Sequence, residues 1–247
     1  MKHLFFILIV LSSTVCCTAQ KTAWQSLFNG KDLTGWQVKS TPADQDKAYW
    51  TVTKGMIVCN SIGSPHHDYI WLQSDTEYED FEVVFNFRVW RDHQGNSGFQ
   101  FHSRYDQQAN EGISKGGWMD GPQADINVKG GSWRCGLIYD ETRTMNRWVS
   151  PDLPSYGIKV KDVLIKKVPL RFADEGNGWN TMRIRCQSNY ITTYVNGKKI
   201  TSYDGNGILT DSAHKRLHVA NKGHFAIQLH RKAQNHLAFK NIRVRSL

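Results

Sequence analysis

Apolar and polar residues alternate along three short stretches of the sequence, and this two-residue period limits the possible folds more than any other feature. The stretches are residues 97–104, 122–128 and 225–230. Because successive side chains of a β-strand point to opposite faces, each stretch predicts a strand with one buried face and one polar face. The residues predicted to face the core are Phe99, Phe101, Ala124, Ile126, Val128, Phe225, Ile227 and Leu229.

The polar face of these stretches differs from the Thr, Ser, Lys and Glu of a merely solvated sheet. Its predicted members are Gln100, His102, Arg104, Gln123, Asp125, Asn127, Gln228 and His230. Convergent amide, carboxylate, imidazole and guanidinium groups are typical of a surface that holds a polar ligand. We therefore expect a functional site on one face of a sheet.

The N-terminal residues have the pattern of a targeting segment. A lysine and a histidine precede an apolar run at residues 4–11, which is too short to span a bilayer, and small residues lead to Ala19. We interpret residues 1–19 as a secretory signal peptide and expect an exported protein, periplasmic or secreted. A lipoprotein is the less favoured alternative, because the residues before Cys16 and Cys17 fit a lipidation motif poorly. No later stretch predicts a transmembrane span.

Residues 20–247 are long enough for one large β domain, and we expect a single domain. The 247 residues include 31 Lys and Arg against 22 Asp and Glu, a formal net charge of +9. The cations are scattered along the sequence, and no basic run carries the interleaved aromatic residues of a single-strand binding platform. We therefore interpret the charge as solvated surface and expect no nucleic-acid partner.

Three cysteines follow the predicted signal peptide: Cys59, Cys135 and Cys186. They are far apart in sequence and lack the C-x-x-C spacing of a metal site. An odd number of cysteines in an exported chain of this size does not make a disulfide framework. We expect buried free thiols, with one disulfide and a leftover cysteine as the alternative.

Strand-like runs recur between turn signals along the chain, whereas helical periodicity is scarce. Asn196-Gly197 separates two such runs, residues 190–195 and 199–203, and this dipeptide is a strong hairpin signal. Many short strands and 12% aromatic residues favour an all-β sandwich or barrel. Residues 143–172 contain three prolines and are predicted to form a long irregular excursion.

A series of short blocks occurs in an order that is more specific than any single block. The first is Leu-Phe-Asn-Gly-Lys-Asp-Leu-Thr-Gly-Trp at residues 27–36. The others lie at residues 79–82, 96–98, 121–126, 137–141, 179–180, 195–197, 227–230 and 239–244. In these blocks, from about Trp24 to the C-terminus, the chain resembles the 3-keto-disaccharide hydrolase family. Its members are also described as 3-keto-glucoside 1,2-lyases and 3-keto-2-hydroxy-glucal hydratases.

The resemblance implies a fold and a place for the site. The family has a jelly-roll β-sandwich of the concanavalin A-like lectin and glucanase type, and its members are usually exported from bacteria. Its concave sheet carries the sugar site, which agrees with the polar face described above. Much of the family has Glu-x-Gln where this chain has Gln123-Ala124-Asp125, so the carboxylate and the amide are exchanged.

The resemblance also implies a 3-keto-glucoside or 3-keto-disaccharide substrate. A ketone at C3 acidifies the proton on C2, so a base can remove it and the group on C1 leaves by elimination. Water then adds across the glycal to give free 3-keto-glucose. This chemistry needs a base near C2, a stabiliser for charge on the C3 oxygen, and an acid for the leaving oxygen.

The candidate catalytic residues are His102, Asp125, His230 and, as an enolate stabiliser, Arg104. The predicted substrate-binding residues are Gln100, Gln123, Asn127, Gln228, Asp140, Glu141 and, by stacking on a sugar ring, Trp118. Structural interpretations remain open at several positions. His102 could be a satisfied histidine with no role in chemistry, and Asp125 could only pair with Arg104. Asp140 and Glu141 could cap a turn.

Histidines and carboxylates on one face could also hold a divalent metal ion, which would polarise the ketone. We expect no organic cofactor, and the oligomeric state stays open. One alternative function is a carbohydrate-binding module without catalysis. Another is an ordinary glycoside hydrolase of the same fold, which in its retaining form requires two acidic residues about 5–5.5 Å apart. No Glu-x-Asp-x-x-Glu run of the kind usual in this fold occurs in the sequence.

Overall fold

Alternating core and surface residues build two antiparallel sheets that pack face to face. The computed structural model describes residues 23–93, 95–111, 114–128, 132–150 and 168–247. The predicted signal peptide and most of the predicted excursion lie outside these residues. In chain order the strands are β1 (Gln25–Ser26), β2 (Trp36–Ser40), β3 (Trp50–Thr53), β4 (Met56–Asn60), β5 (Ile70–Tyr78), β6 (Phe81–Val89), β7 (Asn96–Asp106), β8 (Asn110–Glu111), β9 (Ser114–Lys115), β10 (Trp118–Asp120), β11 (Pro122–Asn127), β12 (Ile138–Asp140), β13 (Arg147–Ser150), β14 (Trp179–Gln187), β15 (Tyr190–Val195), β16 (Lys198–Asp204), β17 (Gly223–Leu229) and β18 (His236–Ser246).

The strands form a back sheet and a front sheet of eight strands each. The back sheet has the order β16-β15-β14-β6-β18-β4-β3, with β1 paired to β18, and the front sheet has the order β13-β12-β11-β7-β17-β5-β2, with β10 paired to β7. A separate two-stranded sheet joins β8 and β9. A short helix, α1 (Ser212–Arg216), precedes β17. This architecture confirms the predicted all-β jelly-roll sandwich.

The three alternating stretches occupy β7, β11 and β17, which are direct neighbours in the front sheet in the order β11-β7-β17. All eight predicted core residues are buried in the hydrophobic cluster between the sheets. The sheets meet through aromatic rings: Phe85 of β6 stacks on Phe99 of β7 with ring centroids 4.5 Å apart. Each fully buried Phe stabilises the fold by roughly 1.5–3 kcal/mol. The predicted core face is confirmed.

The alternation of β7 breaks at a β-bulge centred on His102. This residue has a φ of 48°, and the register between β7 and β17 shifts between the pairs His224↔Ser103 and Ala226↔Gln100. Two residues of β7 therefore oppose Phe225, and the strand beyond the bulge exchanges its faces. The sequence has no glycine or proline there to mark it.

The prediction that His102 lies on the polar face is therefore wrong. Its ring packs edge-on against Phe81 and Phe101, and its Nε2 lies 2.7 Å from the carbonyl oxygen of Glu79. Burial lowers the pKa of His102. Arg104 does not lie beside Asp125 on the polar face as predicted. Its guanidinium forms an ion pair with Glu77 at 2.7 Å instead.

Two further sequence predictions are confirmed. Asn196 and Gly197 join β15 to β16 with φ values of 50° and 81°, as the left-handed turn of a tight hairpin requires. Cys59, Cys135 and Cys186 are free and buried, and burial raises the pKa of Cys186 to about 12.

By contrast, β13 shows that part of the predicted irregular excursion, residues 147–150, is a strand. Within the described residues, no helix is long and apolar enough to cross a bilayer.

The side chain of Asn180 fastens the segment that leads into β14. Its Nδ2 donates to the carbonyl of Arg171 at 2.8 Å, and its Oδ1 accepts from the backbone N–H of the same residue at 2.8 Å. Asn196, in the hairpin, donates its Nδ2 to the same Oδ1 at 2.8 Å. One buried amide thus ties a connecting segment, a strand and a turn together.

We expect Asn180→Ala to lower the free energy of unfolding by about 1–3 kcal/mol, because it leaves the polar groups that Asn180 pairs without partners. Urea unfolding followed by tryptophan fluorescence measures the change. Asn206→Ala is the matched control, since this amide also donates to a backbone carbonyl, that of Ser188, but on an exposed turn. An equal loss in both variants would contradict the role assigned to Asn180.

Candidate functional site

One carboxylate and three glutamine amides meet on the outward face of the front sheet. The Oε1 of Glu141 accepts from the Nε2 of Gln228 at 3.1 Å and from the Nε2 of Gln123 at 3.5 Å. Gln100 lies on the strand between these glutamines and donates its Nε2 to the carbonyl of Met119 at 3.2 Å. All four side chains are buried. Amide donors from two strands therefore converge on Glu141.

The loop that carries Glu141 is clamped on both sides. The indole N–H of Trp118 donates to the carbonyl of Glu141 at 2.8 Å. Two residues further on, the Arg143 guanidinium contacts Asp120 at 2.7 Å and Asp106 at 2.8 Å. These contacts hold the loop after β12 against β7 and β10, so the Glu141 carboxylate is fixed over the centre of the sheet.

Asp125 is the second buried carboxyl group of this face, two residues after Gln123 on β11. Burial raises the pKa of Asp125 to about 8, Arg134 opposes the rise, and the charge of Glu141 adds to it. Burial likewise raises the pKa of Glu141 to about 7; the hydrogen bond from Gln228 opposes this shift and the charge of Asp140 adds to it. Burial is thus the main reason that both carboxyl groups titrate near neutral pH.

Asp140 precedes Glu141 but belongs to a different network. Its carboxylate is fully buried and contacts the Nε2 of His214 at 3.2 Å and the Nε of Arg147 at 3.4 Å. Asp211, the N-cap of α1, contacts the Nδ1 of the same histidine at 2.7 Å. This placement contradicts the prediction that Asp140 binds substrate. The pair of acidic residues splits into one structural and one site carboxylate.

A glycine makes room for one of the site amides. A Cβ on Gly98 would lie 2.0 Å from the Cδ of Gln123, because the glutamine side chain crosses directly over this position of β7. The side chain has space to reach Glu141 only while residue 98 has no side chain.

Aromatic rings form a wall beside the amides. Tyr69 stacks on Trp71 with ring centroids 5.5 Å apart, and Trp118 meets Tyr69 edge-on at 5.0 Å. Tyr105, beyond the bulge of β7, packs against the same group. Trp118 is only 6% exposed, so it is part of this wall and does not present an open ring face as predicted.

Sequence reasoning missed Tyr69 and Trp71 as members of the site face. The signal was present, because Ile70 and Leu72 between and after them face the core and give the same two-residue period. The predicted members of that face are polar, whereas Trp71 of β5 and Tyr69 just before this strand are aromatic.

His230 lies at the aromatic wall rather than at the carboxylates. Its Nδ1 is 3.0 Å from the carbonyl oxygen of Arg231 and its Nε2 is 3.0 Å from the hydroxyl of Tyr69. A carbonyl only accepts, so Nδ1 carries the proton and Nε2 accepts from the tyrosine. Burial lowers the pKa of His230, which keeps the imidazole neutral. The histidine thus orients Tyr69.

The predicted site residues divide into two groups. Those that the structure gathers on one face are Gln100, Gln123, Asp125, Gln228 and Glu141, with Trp118 and His230 in the adjoining wall. Asn127 lies on the same strand as Asp125, at the edge of the face, with its Nδ2 3.4 Å from the Oδ1 of Asn96. His102, Arg104 and Asp140 are outside it.

The donor set does not fit the divalent metal that the sequence could have accommodated. In the part of the chain that the structure describes, no three His, Cys, Asp or Glu side chains converge as a metal site requires. The amide N–H groups of Gln123 and Gln228 point at Glu141, where a cation would need oxygen atoms.

Three acceptors on this face lack partners among the described residues. They are the Oε1 atoms of Gln100, Gln123 and Gln228, all buried. Buried polar atoms in native proteins almost always have a hydrogen-bond partner, because an unpaired one is energetically costly. Three such acceptors on adjacent strands match a ligand that brings several hydroxyl groups.

Known structures share the sandwich fold. Two are proteins from Parabacteroides distasonis ATCC 8503 that are proposed to be glycosyl hydrolases. One is 19% identical, with a TM-score of 0.52, covering 91% of this chain and 94% of its own. The other is 22% identical, with a TM-score of 0.50 and coverages of 91% and 100%. The β-glucanase of Bacillus licheniformis is 14% identical, with a TM-score of 0.50 and coverages of 93% and 100%.

At these identities the likeness shows the fold alone. Among curated proteins, none matches the chain significantly. The sequence profile of the 3-keto-alpha-glucoside-1,2-lyase-like domain, in contrast, matches residues 23–245. This match confirms the resemblance that the ordered blocks predicted. The chain belongs to the 3-keto-alpha-glucoside-1,2-lyase-like domain family, and it is a protein of the carbohydrate-active enzyme type.

Proposed function

We propose that this protein cleaves 3-keto-glycosides by removal of the C2 proton, elimination of the group on C1, and hydration. The observation that carries the proposal is the pair of buried carboxyl groups on one sheet face: burial raises the pKa of both Asp125 and Glu141 toward neutrality, and Glu141 accepts hydrogen bonds from Gln123 and Gln228. Pairs of carboxyl groups with pKa values pushed apart are the usual basis for assigning an acid and a base. Family membership supports this substrate class.

Glu141 is the proposed base. It has the lower pKa of the pair, and the N–H donors of Gln123 and Gln228 stabilise its charged form. With a pKa near 7 it is a stronger base than an ordinary carboxylate, and near neutral pH a substantial fraction of it is ionised and able to accept a proton. It accepts the C2 proton, and the electrons of the C2–H bond form the enediolate with the C3 oxygen.

Asp125 is the proposed acid, because its higher pKa keeps the proton at neutral pH. As the enediolate collapses, the C1–O bond breaks and Asp125 protonates the leaving oxygen, which gives 3-keto-2-hydroxy-glucal. In the hydration step the oxygen of a water molecule bonds to C1 while the Asp125 carboxylate takes a proton from that water. Protonated Glu141 returns its proton to C2, and 3-keto-glucose forms with both carboxyl groups restored.

The glutamines take the role that the sequence analysis assigned to Arg104. Each side-chain amide carries two N–H donors and one acceptor. The second N–H of Gln123 or Gln228 would donate to the C3 oxygen as charge develops, and the unpaired Oε1 atoms would accept from sugar hydroxyls. The aromatic wall of Tyr69, Trp71 and Trp118 keeps this region dry, which strengthens these hydrogen bonds.

A second candidate function is favoured by the same pair. One protonated and one ionised carboxyl group on a sheet face also describes a retaining glycosidase acting on unoxidised glycosides. Asp125 lies on β11 and Glu141 in the loop that follows the neighbouring strand β12, so the absence of a single-strand acidic motif does not argue against that function. The substrates distinguish the two candidates, and a module that only binds sugar would turn over neither.

We expect the protein to convert 3-keto-trehalose and a 3-keto-β-glucoside to 3-keto-2-hydroxy-glucal and 3-keto-glucose, as followed by NMR. Trehalose and the unoxidised β-glucoside are the matched controls and should persist, since without the ketone the C2 proton is not acidic. A parallel incubation with EDTA tests for a metal requirement. Turnover of the unoxidised sugars would favour the glycosidase, and no turnover of any substrate would refute the enzyme for this set.

Glu141→Gln and Asp125→Asn should each lower kcat/KM by about 10²–10⁴-fold, the usual contribution of a general base or acid. The two differ in a diagnostic way with a nitrophenyl 3-keto-glucoside, whose leaving group needs no protonation. Asp125→Asn should recover most of its activity on that substrate, whereas Glu141→Gln should not. Asp75→Asn, an exposed carboxylate on β5, is the control. Equal recovery of both variants would contradict the assignment of roles.

The pH dependence follows from the same pKa values. Below about pH 7 Glu141 gains a proton and cannot act as base, and above about pH 8 Asp125 loses the proton it must donate. A plot of kcat/KM against pH should therefore be a narrow bell between these limbs. On the nitrophenyl substrate, whose leaving group needs no protonation, the alkaline limb should be absent from both the unchanged protein and Asp125→Asn, whereas the acid limb should persist in both.

Stability gives an independent readout of the Asp125 pKa. The folded pKa is raised above the unfolded value of about 4. Between these values the folded protein holds a proton that the unfolded chain has released, so the free energy of unfolding falls as pH rises from about 4 to 8. Asp125→Asn should flatten this decline in urea titrations. An unchanged pH dependence would show that Asp125 titrates normally.

Gly98→Ala should displace Gln123 and lower kcat/KM by about tenfold, because its Cβ would overlap the Cδ of that side chain. A double-mutant cycle separates this effect from general damage. In the Gln123→Ser background, Gly98→Ala should have little further effect on kcat/KM. Strictly additive losses would mean that Gly98 does not act through Gln123.

A further inference from the structure

The outward face of the back sheet carries a dense group of cations on three adjacent strands. We call these residues the basic face; they are Arg88 on β6, Arg183 and Arg185 on β14, and Lys240, Arg243 and Arg245 on β18. Glu82 is the one carboxylate among the outward residues of these strands, all of which the structure describes. Cations that are scattered in sequence are thus gathered by the strand order β14-β6-β18.

Strand register arranges these cations in rows. Arg185 and Arg245 both oppose Glu82, and Arg183 and Arg243 both oppose Val84. Neighbouring strands are about 4.8 Å apart, so the columns on β14 and β18 are separated by about 10 Å. Successive outward residues on one strand are about 7 Å apart. The basic face therefore contains a regular ladder of cations. In each of these two rows one arginine lies on β14 and another on β18, on either side of a residue of β6.

Glu82 orients the guanidinium groups without neutralising the basic face. It is buried and contacts Arg245 most closely, Arg183 at 3.5 Å and Arg185 at 3.8 Å. The side chains of Arg183 and Arg185 remain 43% and 39% exposed. One shared carboxylate thus pre-positions three guanidinium groups, which keep exposed surface for a further anion.

Aromatic rings support several of the cations. Lys240 lies over Trp179 at 4.0 Å, Arg183 over Tyr194 at 3.9 Å, and Arg245 over Trp24 at 4.9 Å. Such contacts hold the charged groups against the sheet and cover the ring faces. Bases of a single-stranded nucleic acid bind by stacking on open ring faces, so covered rings favour a ligand recognised through its charge.

We propose that the basic face binds an anionic polysaccharide. Guanidinium forks pair with carboxylate and sulfate groups, and a ladder of fixed cations suits a polymer that repeats such groups along its length. Among the residues that the structure describes, the front sheet gathers no such group of cations, and its outward centre holds Asp125 and Glu141. The two faces would therefore bind different sugars at the same time. This inference goes beyond the proposed catalytic function and does not depend on it.

The test uses heparin and polygalacturonate as probes, with neutral dextran as the reference, and measures binding by isothermal titration calorimetry at several salt concentrations. We expect binding of at least one polyanion that weakens steeply with salt, and none of dextran. Arg183→Glu/Arg243→Glu should weaken binding by about tenfold or more. Glu141→Gln should bind as the unchanged protein does, even though it is expected to lose activity.

The matched control is Lys31→Glu/Lys222→Glu, which makes the same change in net charge at exposed positions outside the basic face. It should retain affinity within about threefold. If charge reversal prevents folding, as circular dichroism would reveal, Arg183→Gln/Arg243→Gln replaces it and should still weaken binding measurably. A loss in the control equal to that in the face variant, or no binding of either polyanion, would overturn the proposal.

Two further probes decide the class of partner. Single-stranded DNA and vesicles containing anionic phospholipid are titrated under the same conditions. Tighter binding of either one than of the polysaccharides, with the same dependence on Arg183 and Arg243, would assign the basic face to that partner and overturn the polysaccharide proposal.

Discussion

The pairing of β11, β7 and β17 determines both surfaces of the front sheet at once. Because side chains alternate along each strand, the register that places Phe99, Ile126 and Ile227 in the core also places glutamines opposite them. The aromatic contacts between the sheets resist any slip of this register, since a shift of one residue would expose the phenylalanines. The site therefore inherits its rigidity from the core.

Dehydration is the second consequence of that arrangement. The packing of the front face buries two carboxyl groups that would be ordinary acids in water, and burial is the largest contribution to both pKa shifts. The surrounding amides stabilise one charge and not two, so the pair separates into a donor and an acceptor of protons. The environment, rather than the residue type, distinguishes Asp125 from Glu141.

The number and spacing of the cysteines predicted the free thiols and the Asn-Gly dipeptide the tight hairpin, while sequence periodicity was sufficient for the fold class and the three central strands. It was also sufficient for Gln100, Gln123, Asp125 and Gln228, which lie on regular strands. It failed at His102 and Arg104, since neither glycine nor proline marks the bulge after which the side chains of β7 exchange faces. It could not separate Asp140 from Glu141, because His214 lies more than seventy residues away. The basic face could not be predicted for the same reason, because its cations lie on three segments that are far apart in sequence.

The bulge at His102 divides β7 into two halves that can vary separately. The half before it contributes Gln100 to the chemistry, and the half after it contributes Tyr105 to the wall. Deleting His102 would remove the bulge and leave the faces of Arg104 and Tyr105 unchanged, whereas a strand of the present length that paired without a bulge would turn Tyr105 away from the wall and Arg104 toward it. The bulge thus separates two parts of one strand that face different surroundings. Substitutions before and after it affect different parts of the molecule, although the substituted residues are neighbours in sequence.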